Sequence, residues 1–172
     1  RVVISTYQAV SGAGAAALTA LRRETADALH GKPRRPTVFS HPMAFNCVFH
    51  ESFETGGHSE EEAKIISETR RILDLPKLRI AVTAARVPVE HAHSAAVFVE
   101  TRRALSADGA RRILAKTPGI RVEDVPSRKR YPTPLLAGGT DAVWVGRIRK
   151  DPSVRDWLIF WLSCDNLRKG AA

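Results

Sequence analysis

The segment that decides the fold is Arg86-Val87-Pro88-Val89-Glu90-His91-Ala92-His93-Ser94. It lies between two apolar segments, residues 78–85 and 95–99, each of which is typical of a strand. Pro88 cannot donate a backbone hydrogen bond to a neighbouring strand, so we expect the chain to leave the sheet here. The segment therefore predicts an arginine at the end of one strand and a histidine at the start of the next.

The side chains of this segment suit anion binding beside proton transfer. The guanidinium of Arg86 is a fixed cation whose forked donor face matches a carboxylate or a phosphate. A histidine exchanges protons near neutrality, and both His91 and His93 are present. Because structural arginines and histidines are common at strand ends, this pattern alone leaves a structural role open as well.

Length and composition predict one domain with its own core. The chain has 172 residues, of which 44% are hydrophobic, and no apolar run approaches the roughly 20 residues of a membrane span. Cys47 and Cys164 lie far apart without metal-ligand spacing, which predicts a reducing cytoplasm and no metal site. Cys47 has no basic neighbour, so we expect a small buried side chain rather than a nucleophile.

The net charge of +9 leaves several kinds of anionic partner open. The basic residues are scattered in short pairs, and the densest cluster is Arg128-Lys129-Arg130. No interleaved aromatic residues accompany that cluster as a stacking platform for bases would require. The pattern favours solvated faces, and a nucleic-acid-binding module is the least favoured function.

Residue periodicity predicts three complete helices. The first follows a turn over residues 8–14, with Ser11 as a candidate N-cap, and runs to about Leu29. The second starts at a capping box of Ser59 and Glu62 and runs to about Leu73. The third covers residues 106–116. The apolar residues expected to form the buried stripe of the second helix are Ile65, Ile66, Thr69, Ile72 and Leu73.

About eight strand segments complete the prediction, including an extended or edge segment over residues 37–50. Residues 126–140 are predicted to form a loop. Several strands are consecutive, without steady βαβ alternation. This favours an α+β domain with a mixed, largely antiparallel sheet and helices on one face. The apolar run of residues 157–162 is typical of a strand buried on both faces, and an interface strand stays open. No Gly-x-Gly-x-x-Gly follows a strand, so the chain carries no dinucleotide fingerprint.

A series of short motifs points to a known family. They are Ser5-Thr6-Tyr7-Gln8-Ala9-Val10-Ser11-Gly12, Ala44-Phe45-Asn46, Glu61-Glu62-Ala63-Lys64, Arg86-Val87-Pro88-Val89, His93-Ser94, Tyr131-Pro132-Thr133-Pro134, Val145-Gly146-Arg147-Ile148-Arg149 and Asp165-Asn166-Leu167-Arg168-Lys169-Gly170. In this order, the chain resembles the C-terminal, catalytic and dimerisation half of aspartate-β-semialdehyde dehydrogenase. The resemblance implies a fold like the C-terminal domain of glyceraldehyde-3-phosphate-dehydrogenase-type enzymes. Residues 1–172 would be a single substrate-binding and dimerisation domain of a longer two-domain enzyme.

The resemblance also implies a reaction. The family interconverts β-aspartyl phosphate and aspartate semialdehyde through a cysteine thioester, with NADP and inorganic phosphate, on the way to lysine, threonine and methionine. We expect a homodimer, or a tetramer, in the cytoplasm, without nucleic acid or membrane as partner. The catalytic cysteine lies in an Asn-Cys motif upstream of Gln8 and outside this sequence, as does the nucleotide-binding domain, so this chain alone should be inactive.

The resemblance assigns four residues to the substrate. His93, rather than the nearby His91, would be the general acid/base that activates the thiol. Gln8 would hydrogen-bond the substrate near the reacting carbon. Arg86 would bind the substrate α-carboxylate, and Glu61 would face its ammonium group.

The remaining assignments concern phosphate and cofactor. Lys64 would bind the phosphate, Ser11 and Gly12 would lie along the NADP, and Asn166 would reach its nicotinamide end. From spacing alone, Glu61, Lys64 and Glu68 share one helix face, which is equally typical of a surface salt-bridge ladder. Two alternatives stay open: an N-acetylglutamyl-phosphate reductase-type enzyme, against which the Glu61 and Lys64 pair argues, and a non-catalytic dimerising paralogue.

Overall fold

The computed structural model describes residues 1–54, 56–154 and 156–170. The described strands are β1 (Val2–Gln8), β2 (Val48–Phe49), β3 (Ile80–Arg86), β4 (His93–Glu100), β5 (Ile120–Val122), β6 (Val143–Lys150) and β7 (Trp157–Cys164). The described α-helices are α1 (Ala15–Leu29), α2 (Glu60–Ile72), α3 (Ala107–Ala115), α4 (Pro134–Ala137) and α5 (Asn166–Lys169). Short 3-10 turns at Val10–Ala13 and Pro126–Arg128 complete the described elements.

The strands form one sheet in the order β2-β3-β1-β4-β7-β6-β5. Only the β1–β3 and β5–β6 pairs are parallel among the described strands; the other neighbours are antiparallel. The α+β class and the mixed, largely antiparallel sheet are therefore confirmed. The strand count is one lower than expected.

The register of three central strands brings the opening motif together with the end of β1. In the parallel β1–β3 pair Gln8 is opposite Arg86, and in the antiparallel β1–β4 pair Tyr7 is opposite Ser94. The carboxyl ends of β1 and β3 and the first residue of β4, His93, consequently lie at the same edge of the sheet. Strands β3 and β4 are not neighbours, because β1 lies between them.

Helix α2 begins as expected but is less buried than expected. The Ser59 hydroxyl accepts from the backbone N–H of Glu62, and the Glu62 carboxylate accepts from the N–H of Ser59 and of Ala84, which attaches the helix to β3. The prediction of a buried stripe is wrong: Ile65, Ile66 and Thr69 are half-buried, whereas Ile72 and Leu73 are 80% and 53% exposed. Leu73 is already the C-cap, where the helix ends.

Helix α1 has the predicted bounds but a different start. Its N-cap is Gly14, with φ +89°, and Ser11 lies in the preceding 3-10 turn, so the Ser11 N-cap prediction is wrong. The inner side of α1 packs with Met43, Ala44 and Val48 in one buried cluster. The buried carboxylate of Glu24 on the same helix accepts from the backbone N–H groups of Met43 and Ala44, at 2.6 and 3.1 Å, and so fixes the loop before β2.

The two long connections also differ from expectation. Within residues 37–50 only Val48–Phe49 forms a strand. Cys47 is exposed, contrary to the prediction of a buried side chain, because its neighbour Val48 takes the buried position and side chains alternate along a strand. The predicted loop over 126–140 contains the short helix α4.

The two faces of the sheet have different surroundings. On one face a buried cluster that includes Val145, Ile148 and Leu158 packs against α3. On the other, Tyr131, Ile159 and Trp161 line an apolar cavity of about 580 Å³. No described helix is long and apolar enough to cross a membrane.

Candidate functional site

All the side chains that the sequence nominated line one cleft of about 450 Å³ at the sheet edge where β1 and β3 end and β4 begins. The nominated residues in its lining are Gln8, Ser11, Gly12, Glu61, Lys64, Arg86, His93 and Asn166. They come from three strands, the 3-10 turn, α2 and α5. The structure thus brings together every residue of the prediction, although it does not test their roles.

The Gln8 amide is held between two protein groups. Its Nε2 donates to Glu61 Oε1 at 2.8 Å, and its Oε1 lies 2.9 Å from His50 Nε2. The Gln8 side chain is nearly buried. Glu61 is therefore tied to the sheet and is more than a surface salt-bridge residue.

His93 is oriented by the backbone. The N–H of Ala9 donates to His93 Nδ1 at 3.0 Å, so the neutral ring carries its proton on Nε2. A Cβ at Gly12 would lie 3.4 Å from Nε2, so the absence of a side chain at position 12 leaves that nitrogen open to the cleft. Burial, and then the charge of Arg86, lower the pKa of His93 from 6.5 to about 4. The ring is accordingly neutral at pH 7.

Arg86 is half-buried and incompletely partnered. Its Nη1 is buried without a hydrogen-bond partner among the described residues. The guanidinium lies over the Phe39 ring, 5.6 Å from the ring centre, which is a favourable cation–π distance. Burial lowers the pKa of Arg86, partly opposed by the charge of Glu61, but an arginine remains protonated at neutral pH. A buried guanidinium nitrogen without a partner is suited to an anionic ligand.

Lys64 lies at the rim of the cleft. Its ammonium is 4.0 Å from Glu68 one turn further along α2, and both side chains are more than half exposed. Such a pair holds the ammonium weakly, so Lys64 can reach an anion in the cleft.

Ser11 and Asn166 join two parts of the site. Their side chains hydrogen-bond each other at about 3.0 Å, and Asn166 Oδ1 also accepts from the backbone N–H of Ala92. Ala92, directly before His93, has φ +71°, a left-handed conformation that is strained for alanine. Asn166 therefore stabilises the turn that delivers His93, in addition to lining the cleft.

Cys164 also lines the cleft, opposite His93 in the β4–β7 register. Burial, and then the charge of Asp165, raise the pKa of its thiol. The thiol is therefore protonated at neutral pH and is a poor nucleophile. The described residues contain no cluster of three or more side chains arranged to hold a metal ion.

Sequence reasoning missed three supports of the site: Phe39, His50 and the backbone N–H of Ala9. Phe39 and His50 lie in the segment around β2, and only their positions in space connect them with Arg86 and Gln8. His50 is two residues beyond the buried Val48, so strand alternation was the one signal that could have placed its side chain on the same side.

The fold is that of the dimerisation domain of the semialdehyde dehydrogenase class. Residues 1–169 match the model of the family "Semialdehyde dehydrogenase, dimerisation domain", and the chain belongs to this family. The proteins most similar in sequence include the aspartate-semialdehyde dehydrogenases of Legionella pneumophila, 44% identical, and Aquifex aeolicus, 42% identical; each alignment covers all of this chain and about half of the relative, 50% and 51%.

Solved structures give the same result. The chain superimposes on aspartate semialdehyde dehydrogenase II from Vibrio cholerae, solved in complex with ASA, with a TM-score of 0.94 and 39% identity, over 99% of this chain and 50% of that one. The chain thus spans about half the length of the proteins that it matches.

Proposed function

We propose that this chain is the substrate-binding and dimerisation half of a two-domain, NADP- and phosphate-dependent aspartate-semialdehyde dehydrogenase. The observation that carries the proposal is the cleft itself, in which Arg86, Glu61, Lys64 and His93 converge. Family membership and the names of the relatives support the same reaction. The enzyme would act in the cytoplasm, in the biosynthesis of lysine, threonine and methionine.

The charges of the cleft match the groups of the substrate. The unpartnered Nη1 of Arg86 would bind the α-carboxylate, and Glu61, which uses Oε1 for Gln8, would offer Oε2 to the ammonium. Lys64 would bind the phosphate from the rim. Fixing the carboxylate and the ammonium group of the amino acid would orient the reacting carbon toward His93.

His93 would handle the proton at the reacting oxygen. Because Nδ1 accepts from Ala9, the neutral ring donates from Nε2 toward the cleft, which is the acid half of the acid/base role. Accepting a proton from a thiol on Nε2 requires the other neutral tautomer, in which the bond from Ala9 is lost. The resemblance places the nucleophilic thiol in an Asn-Cys motif of the family, and the raised pKa of the Cys164 thiol makes Cys164 a poor substitute for it.

The residues proposed for NADP fit the cofactor in part. Gly12 adds no side chain to the cleft, so a ring can approach His93 there. Asn166 gives one amide hydrogen to Ser11 and has a second for a carboxamide oxygen. Ser11 is buried and bonded to Asn166, so it would position Asn166 rather than contact the cofactor through its hydroxyl. When bound, NADP supplies or accepts the hydride.

We also propose a homodimer formed through the sheet face opposite α3. That face carries the apolar cavity lined by Tyr131, Ile159 and Trp161, whereas the face toward α3 is already covered. Apolar surface of this kind on a dimerisation domain is best buried by a second copy.

The test is turnover by the full-length protein: NADP reduction with L-aspartate semialdehyde, with and without phosphate. Phosphate-dependent reduction is expected, and the His93→Ala variant should lose most of the turnover while still binding the substrate. Activity only with the N-acetylglutamate semialdehyde would identify the sister enzyme, against which the position of Glu61 in the cleft argues. No turnover with either substrate in a folded dimer would overturn the proposal and leave a structural paralogue.

A further inference from the structure

His50 contacts the site without lining the cleft. It lies just after β2 and reaches Gln8 from a separate, smaller cavity of about 200 Å³, lined also by Glu60, Glu61 and Lys64. Its Nε2 is 2.9 Å from Gln8 Oε1. The Gln8 side chain is therefore contacted by His50 on one side and by Glu61 on the other.

The donor and acceptor roles of His50, Gln8 and Glu61 determine one another. A carboxylate only accepts hydrogen bonds, so the Gln8 atom that faces Glu61 is its amide nitrogen. The Gln8 atom that faces His50 is then the amide oxygen, and His50 must donate from a protonated Nε2. One hydrogen on Gln8 Nε2 remains for a ligand.

We propose that His50 is a positioning residue that holds the Gln8 amide in this orientation, so that Gln8 presents an N–H donor, and not its oxygen, to the reacting part of the substrate. The site then selects an acceptor oxygen at that point, such as the carbonyl oxygen of an aldehyde, thioester or acyl phosphate. This inference rests on the proposed function for the identity of the reacting group. The orientation of Gln8 itself follows from the contacts within this chain.

The physical basis is the buried position of Gln8. Its oxygen is removed from water, so it needs a donor, and His50 supplies one. Without that donor only the bond to Glu61 holds the amide and its buried oxygen is unsatisfied, so the present orientation is less strongly preferred over the one turned by half a turn, in which oxygen and nitrogen are exchanged. An oxygen in the cleft would then face the carbonyl oxygen of the substrate, which is repulsive.

The experiment is a double-mutant cycle in the full-length enzyme with the variants His50→Leu, Gln8→Ala and both together. We expect His50→Leu to lower kcat/KM about tenfold, mainly through kcat, as loss of a supporting hydrogen bond does in other sites. The double variant should be no worse than Gln8→Ala. His50→Gln, which keeps an N–H donor, should restore activity to within about threefold of the parent, and His30→Leu on the exposed end of α1 is the matched control.

Two outcomes would overturn the inference: normal kcat/KM in His50→Leu, or additive effects in the cycle. A second readout is independent of turnover. The ¹⁵N NMR spectrum of the His50 ring should show a protonated Nε2 in the parent and lose that preference in Gln8→Ala. If the parent does not turn over any semialdehyde but shows this tautomer, the proposed function fails while the positioning role stands; an unprotonated Nε2 rejects the positioning role.

Discussion

Two half-buried arginines at different parts of the sheet differ in whether the chain supplies acceptors for their N–H groups. Near β5 and β6, Arg111 donates to Asp124 and Asp108, each at 2.7 Å, and to the carbonyl of Ile148. The two carboxylates, Asp124 first, raise the pKa of Arg111. At the cleft, Arg86 has a buried nitrogen without a partner, and burial lowers its pKa. Both are cations partly removed from water, but only Arg111 has its donors satisfied by the chain.

The difference distinguishes a structural arginine, Arg111, from one that is suited to binding a ligand, Arg86. The carboxylate of Asp124 is 1% exposed and, besides Arg111, accepts from the backbone N–H groups of Arg147 and Ile148 at the irregular part of the β6–β7 pairing. This network stabilises the bend of β6. Arg86 costs stability instead, since a desolvated donor is left unpaired, and such a cost is expected where a ligand supplies the missing partner.

The largest effect should come from breaking the satisfied network. Asp124→Ala leaves the Nε of Arg111 and two backbone N–H groups without an acceptor, so we expect the free energy of unfolding to fall by about 3 kcal/mol. Urea denaturation measures this change. Asp108→Ala is the matched control: that carboxylate is 79% exposed, and its loss should cost less than about 0.5 kcal/mol. If the free energy of unfolding fell equally in the two variants, the buried Asp124 network would stabilise the fold no more than an exposed ion pair does.

Weakening the unsatisfied arginine should instead leave stability unchanged and reduce binding. In Arg86→Lys an ammonium replaces the forked guanidinium, so we expect kcat/KM for the semialdehyde to fall about 30-fold, mainly through KM. The control is Arg22→Lys, which changes an exposed two-point pair with Glu90. An unchanged KM in Arg86→Lys, or a loss of stability as large as that of Asp124→Ala, would mean that Arg86 is a structural arginine too.

The same contrast explains what the sequence could predict. Local signals predicted the three long helices, α1 to α3, and the capping box of Ser59 and Glu62, because those interactions are made within a few residues. The opening motif predicted correctly that Arg86 ends a strand and that His93 starts the next. The resemblance then nominated a set of residues that the fold does place in one cleft.

The contacts that complete the site depend on distant pairing and were not visible. The short strand β2 pairs antiparallel with β3, which brings the following His50 near Gln8. Phe39 contacts Arg86 across a separation of 47 residues in sequence. Local reasoning also failed at Ser11, whose hydroxyl bonds a residue far along the chain, Asn166, rather than capping α1. A side chain with both a local and a distant partner available cannot be assigned from spacing alone.

The smallest expected effect concerns the dependence of stability on pH, and it distinguishes the two main causes that lower the pKa of His93. The pKa of His93 is lowered to about 4, so between pH 6.5 and 4 the unfolded chain binds a proton that the folded chain does not. Stability therefore falls as the pH drops through this range, by about 1 to 2 kcal/mol from His93, less than the full shift implies because the ring keeps some contact with water. Above pH 6.5 the ring is mostly neutral in both the folded and the unfolded chain, so the protein keeps its full stability there. Burial is the larger cause and the charge of Arg86 the second.

An Arg86→Gln variant should accordingly raise the pKa of His93, but by less than half of the way to 6.5, because the ring stays buried. NMR titration of the His93 ring in the parent and in Arg86→Gln measures both values. Full recovery to 6.5 would mean that the unpaired charge of Arg86, rather than desolvation, sets the proton affinity of the cleft. In that case a bound carboxylate, by neutralising Arg86, would itself raise the pKa of His93, and substrate binding and proton uptake would be coupled.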